Sequence, residues 1–142
     1  MRVRELTGRP ILDTSSAESV GRIEAPILDP AASRVVGFRV SGSSPVLGLD
    51  DVRSVGADAV TVDDRAALRQ PRTDLETEAA SRPLDPVGAR VLSDAGAVLG
   101  VAQDLDVEPD GDVRAVITDG GEIPGDHIVG FGGYALVVRV ER

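Results

Sequence analysis

Asp13 stands in the run Ile11-Leu12-Asp13-Thr14-Ser15, two apolar residues leading into an acid and two hydroxyls. Two such loops brought together in a dimer would place two carboxylates close enough to share a proton, the arrangement of an aspartic hydrolase. Ile128-Val129-Gly130 would supply the apolar segment that backs such a loop. The competing reading is a turn, and the chain's own repetition favours it, because Ser93 occupies the matching place in the second half. A second group is Asp104, Asp106, Glu108, Asp110 and Asp112, alternating through DLDVEPDGD. Counted from Asp106, the candidate ligands Asp106, Glu108, Asp110 and Asp112 and the turn residue Gly111 follow a helix-flanked calcium loop. The closing position, however, is Ile117 where a bidentate glutamate is needed, and no helix is expected on either side. In a strand, alternate carboxylates share the solvent face while Leu105 and Val107 turn inward. The reading is a solvated acidic hairpin.

The remaining candidates carry less chemistry. His127 is the single histidine, so no histidine cluster can hold a metal within one chain. Gly130, Gly132 and Gly133 lack the spacing of a phosphate-binding loop, and the chain has no lysine to reach a phosphate. With no cysteine, thiolate ligands, cysteine nucleophiles and disulfides are excluded. No catalytic constellation can be assembled, and no cofactor and no metal site is expected.

The elements that would carry these residues follow from composition. The chain has 142 residues, 42% apolar but only 2% aromatic, with 16 Gly and 9 Pro. A core of Val, Leu, Ile and Ala, punctuated in this way, favours short strands and tight turns. A net charge of −9 opposes binding to nucleic-acid phosphates and anionic lipid, leaving protein partners. MRVRELTGRP has no apolar run of the kind a secretory signal needs, and no stretch approaches a membrane span. A cytoplasmic location without membrane insertion is the expectation.

The chain then repeats itself. Gly8 to Leu28 (GRPILDTSSAESVGRIEAPIL) and Gly88 to Val107 (GARVLSDAGAVLGVAQDLDV) share an order: Gly, an apolar strand, a polar turn, an apolar-Gly pair, and a long strand. Two strands joined by a bend are expected across Met1 to Leu12, and Pro26 marks an edge or bulge in the long strand. Arg34 to Val40 is the hairpin return, and Val52 and Val55 suggest a helical turn capped by Asp50 or Asp51. The polar stretch Asp63 to Pro86 reads as a linker. Within it, Asp64 caps one short helix through Leu68, ended by Pro71, and Thr73 a second that runs through Ser81, stopped by Pro83. In the second half Asp110-Gly111 makes the hairpin turn, Val113 to Thr118 returns, and Tyr134 to Val140 is a long apolar strand. If that strand were an open edge, it would invite pairing with a second copy.

This pattern resembles the PRC-barrel family. The resemblance is carried by GRPILD with VGRIEAPILD and LDDVRSVGADAVTV, then by GARVLSDAGAVLGVAQDLDVE with DHIVGFGGYALVV. It implies an all-β protein of two tandem small antiparallel barrels with a partly helical linker: a first repeat at 1–63, the linker at 64–85 and a second repeat at 86–142. Each repeat is small enough to be marginal alone, so the two are expected to pack on one another through an apolar face. The resemblance also implies a non-enzymatic adaptor that holds a protein partner or self-associates, a homodimer included. Asp104, Asp106, Glu108, Tyr134 and Val138 are the candidate partner-binding residues. The alternatives are a module for calcium or a small quinone-like ligand and, further off, the dimeric aspartic hydrolase.

Overall fold

The structure is a computed structural model that describes residues 1–82 and 84–140. Pro83, read as the stop of the second linker helix, and the end of the second repeat at 141–142 lie outside the described residues. The chain is mostly strand. A short helix α1 (Val3–Leu6) precedes β1 (Pro10–Asp13), β2 (Glu18–Asp29), β3 (Arg34–Val40) and β4 (Val46–Gly48). A 3-10 turn (Leu49–Asp51), β5 (Ser54–Val55), β6 (Val60–Val62), a second 3-10 turn (Arg65–Ala67), β7 (Leu68–Arg69) and α2 (Asp74–Ser81) follow. The second half contains β8 (Arg90–Ser93), β9 (Val98–Val107), β10 (Val113–Thr118) and β11 (Gly121–Pro124). It closes with a 3-10 turn (Gly125–His127), β12 (Ile128–Phe131) and β13 (Leu136–Val138).

Two sheets result, in the orders β5-β6-β1-β2-β3-β4-β7 and β11-β10-β9-β8-β13-β12. The same local pairing occurs in each. β1 runs antiparallel to β2 and parallel to β6, with Ile11 opposite Val60 and Asp13 opposite Val62. β8 runs antiparallel to β9 and parallel to β13, with Val91 opposite Leu136 and Ser93 opposite Val138. Even the irregularity recurs. Ile11 pairs with Gly21 but Leu12 with Ser19, and Val91 with Gly100 but Leu92 with Val98, leaving Val20 and Leu99 as extra residues. A bulge of this kind bends its strand and increases its twist. The sequence duplication is therefore a duplication of strand pairing.

Two compact units form, and neither is one stretch of sequence. One comprises Glu5–Ile27 and Val36–Pro83; the other comprises Met1–Arg4, Leu28–Val35 and Leu84–Arg142. Inside the latter, Val35 N donates to Gly111 O at 2.8 Å, Val113 N to Ser33 O at 2.9 Å and Val107 N to Met1 O at 2.8 Å. Arg34 adds its guanidinium to the Asp110 carbonyl at 2.6 Å. The chain's first residues and the tip of its first hairpin thus complete the unit whose bulk comes from the second half. The stretch read as a linker is built into the other unit. Arg65 N donates to Asp13 Oδ2, β7 pairs with β4, and α2 is fastened by Arg69, which holds both oxygens of the buried Glu76 at 2.8 Å.

Aliphatic side chains fill each core, as the composition requires. Leu6, Ile11, Ile23, Phe38, Val40, Leu47, Val60 and Val62 are buried in the unit that contains α2, and Val91, Ala102, Leu105, Val116, Leu136 and Val138 in the other. Several expectations are corrected. Val3–Leu6 is helical where a strand was expected, because Val3 and Leu6, three apart, both reach the interior. The turn near Asp50 starts at Leu49 with no side-chain cap, and Val55 lies in a strand. Pro26 is buried in β2 beyond the last β1 pair, Pro10 with Arg22, so its missing N–H removes no bond to β1. Tyr134 to Val140 is not one long edge strand. Only Leu136–Val138 is extended, and it lies between β8 and β12, so that stretch offers no open edge.

β3 and β4 approach closely at Gly37, which pairs with Gly48, and a methyl group at Gly37 would collide with the Leu47 carbonyl oxygen. Gly37→Ala is expected to lower stability by about 1–3 kcal/mol, the usual penalty of overpacking. Denaturant unfolding that leaves the midpoint unchanged would contradict this close packing.

Candidate functional site

Asp13 ends β1 with its side chain buried. Its Oδ1 accepts from Ser15 N at 2.8 Å, Ser15 Oγ at 2.6 Å and Ser16 N at 3.2 Å, and its Oδ2 accepts from Arg65 N at 3.0 Å. The Ser15 hydroxyl, then these backbone donors, hold its carboxyl down to about 2 against the opposing effect of burial. This is the behaviour of a turn anchor. In the second copy Ser93 stands at the same place, its hydroxyl accepting from Ala97 N at 3.1 Å. The arrangement that suggested a proton-sharing carboxylate organises the turn between the first two strands of the repeat.

The acidic hairpin is divided between inner and outer residues. Asp104 and Asp106 are half-buried, while Glu108, Asp110 and Asp112 are exposed. Asp104 Oδ1 accepts from Arg4 N at 2.8 Å. Asp106 accepts from the Met1 amine at 3.1 Å and from Arg114 Nε at 2.5 Å. Its carboxyl is lowered by Arg114 first and the terminal amine second. Asp110 Oδ1 accepts from Asp112 N and shapes the turn, where Gly111 has φ +100°. Asp106 thus faces two cations of its own unit, and Asp104 a backbone N–H, instead of open solvent. Among the described residues no three acidic, histidine or cysteine side chains are grouped to hold a metal ion.

The larger surface feature lies on the outer face of β9-β8-β13-β12. Residues flanked by buried neighbours along each strand point outward: Leu92 between Val91 and Ser93, and Val137 between Leu136 and Val138. Register carries this row across the sheet as Val98, Leu92, Val137 and Gly130. In the next row Arg90 pairs with Val101, its guanidinium 5.4 Å from the Tyr134 ring centre. That cation–π contact contributes roughly 0.5–1 kcal/mol at an exposed site. Val98 is 63% exposed, Val101 47%, Val129 50% and Tyr134 76%, and the bulged Leu99 adds a further apolar side chain. Beside this face, Leu84, Val87, Phe131, Arg90 and Tyr134 line a cleft of about 310 Å³.

The first copy presents the same row as Ser19, Leu12, Thr61 and Ser54. Ser54 Oγ and Thr61 Oγ1 are hydrogen-bonded at 2.7 Å, and Arg22 stands where Val101 does. One backbone pattern therefore carries a polar face in one copy and an apolar face in the other. Of the residues singled out from sequence, Tyr134 lies at this face, Val138 is buried beneath it, and Asp104, Asp106 and Glu108 belong to the hairpin. Val98, Leu99, Val101 and Val129 were missed. The signal lay in aligning Ser19-Val20-Gly21-Arg22 with Val98-Leu99-Gly100-Val101, which replaces both polar residues by valine.

The sequence profile of the PRC-barrel domain matches residues 1–69, one copy of the repeat, and extends through β7. No curated protein matches the chain. Among the described residues no helix is long and apolar enough to cross a membrane.

Glu76, held by Arg69 first and by Arg72 N and Thr73 besides, also lies at about 2, against an ordinary 4.5; for Asp13 the ordinary value is 3.8. A carboxyl lowered by folding stabilises the native state above its unfolded value, and that contribution disappears as pH falls through the folded one. Thermal stability should therefore drop between about pH 4.5 and 2. Asp13→Asn and Glu76→Gln should each be less stable at neutral pH and lose less across that window. Parallel pH profiles for all three proteins, measured by thermal unfolding, would disprove the assignment.

Proposed function

We propose that this chain is a non-enzymatic adaptor built from two PRC-barrel-like copies, which holds a protein partner on the outer face of β9-β8-β13-β12. The observation that supports the reading is the contrast between the copies. Where the first copy has Ser19, Thr61 and Arg22, the second has Val98, Val137 and Val101 on equivalent pairs. Contiguous exposed apolar surface is uncommon on soluble domains and marks interaction sites. Covering valines that are 63% and 47% exposed removes apolar surface from water, the main driving term of association. The match of residues 1–69 to the PRC-barrel domain is compatible with a scaffold role. Fold alone does not settle function, and the weight therefore rests on the face.

The reading is tested by crosslinking the full chain in cells of its source and comparing variants by mass spectrometry. Val98→Asp with Val101→Asp should reduce partner recovery at least tenfold, since each 1.4 kcal/mol lost is a factor of ten. Ser19→Asp, on the polar equivalent, should leave recovery unchanged. Equal recovery from all three would rule out the face as the binding site.

A further inference from the structure

We infer that the partner this face accepts is an apolar protein segment flanked by arginine or lysine, and not a second copy of this chain, a nucleic acid or an anionic membrane. The inference rests on the adaptor reading and adds the chemistry of the occupant. Two carboxylates border the apolar rows. Asp94 sits in the exposed turn that leads from β8 into Val98. Asp126, its side chain 78% exposed, sits in the 3-10 turn that opens directly into β12 and Val129. Of the cations nearby, Arg90 is drawn over the Tyr134 ring, its Nη1 donating to the phenol oxygen at 3.3 Å, and Arg139 follows β13. The chain as a whole carries −9.

Electrostatic complementarity governs which partner reaches an apolar surface and which is turned away. A second copy would bring another −9 to the same face, and phosphate or anionic headgroups would meet the same repulsion. Basic flanks around an apolar centre meet Asp94 and Asp126 while the centre covers Val98, Leu92, Val137 and Val101. Exposed ion pairs of this kind add little affinity but steer encounter, and they weaken as salt rises.

The protein carries its own reporter. Tyr134 is its one tyrosine and there is no tryptophan, so tyrosine emission reads occupancy of this face. The full chain is titrated with two synthetic peptides free of aromatics, one with a valine–leucine centre flanked by arginines, the other with the same centre flanked by glutamates. Calorimetry runs in parallel. The arginine-flanked peptide is expected to bind at least tenfold more tightly, to change Tyr134 emission, and to weaken as sodium chloride is raised. Val98→Asp should abolish binding, and Ser19→Asp should not. Equal affinity for the two peptides, no binding of either, or concentration-dependent dimerisation in sedimentation through this face would overturn the inference, as would binding to anionic vesicles that Val98→Asp removes. If the peptides fail while Val98→Asp with Val101→Asp still loses the cellular partner, the basic-flank inference falls and the adaptor reading stands.

Discussion

The fold depends on one constraint applied twice: a single long strand must pair with two neighbours that do not lie in one flat sheet. β2 serves β1 near its start and β3 further on, and β9 does the same for β8 and β10. A regular strand cannot turn that corner, so each carries an extra residue, Val20 or Leu99, where the ladder slips. The bend in turn allows the last short strand of the copy to lie parallel beside the first, as β6 does for β1 and β13 for β8. It also fixes which side chains face out. Side chains alternate with a period of two, so an inserted residue resets the alternation downstream, and at Leu99 the reset adds an apolar side chain to the surface. The exposed face and the barrel-like curvature have the same origin.

Local chemistry was legible in the sequence wherever a short segment had one dominant signal. Asp64 and Thr73 act as caps as read, accepting from Ala66 N and Glu76 N, and α2 ends at Ser81; but Asp64 opens only a 3-10 turn, and Leu68, expected to end a helix, begins β7. Gly111 takes the positive φ that an Asp-Gly hairpin turn demands. The paired short and long strands of both repeats are present close to their expected limits. What was not legible involved partners far away in the chain. Val3–Leu6 contains too few residues to separate a helical period from an alternating one. Tyr134 to Val140 reads as continuous apolar strand, yet Ala135 and Leu136 are buried while Tyr134 projects, which only the neighbouring strands decide.

The site was hidden for a related reason. A repeat draws attention to what its copies share, and shared positions here are turns and core: Asp13 with Ser93, Ile11 with Val91, Val60 with Leu136. The conspicuous acids of the second hairpin attracted a ligand reading because they alternate, yet Asp104 and Asp106 are occupied by Arg4, Arg114 and the terminal amine. The difference in surface character sits at positions where the copies disagree. Apolar residues there attract no notice in a strand-rich sequence, where valine is expected on either face.

The segments from the first half that complete the second unit have a consequence for how that unit forms. Met1–Arg4 and Leu28–Val35 find their hydrogen-bonding partners about Asp104 to Val113, so those contacts span most of the chain. During synthesis these segments must wait for those partners until the second hairpin has cleared the ribosome. Loop closure over such separations is slow, which delays completion of that unit. It also means that an excised C-terminal half lacks two of its own strips of backbone. What the sequence writes as the second of two tandem modules is completed by strips of backbone from the first.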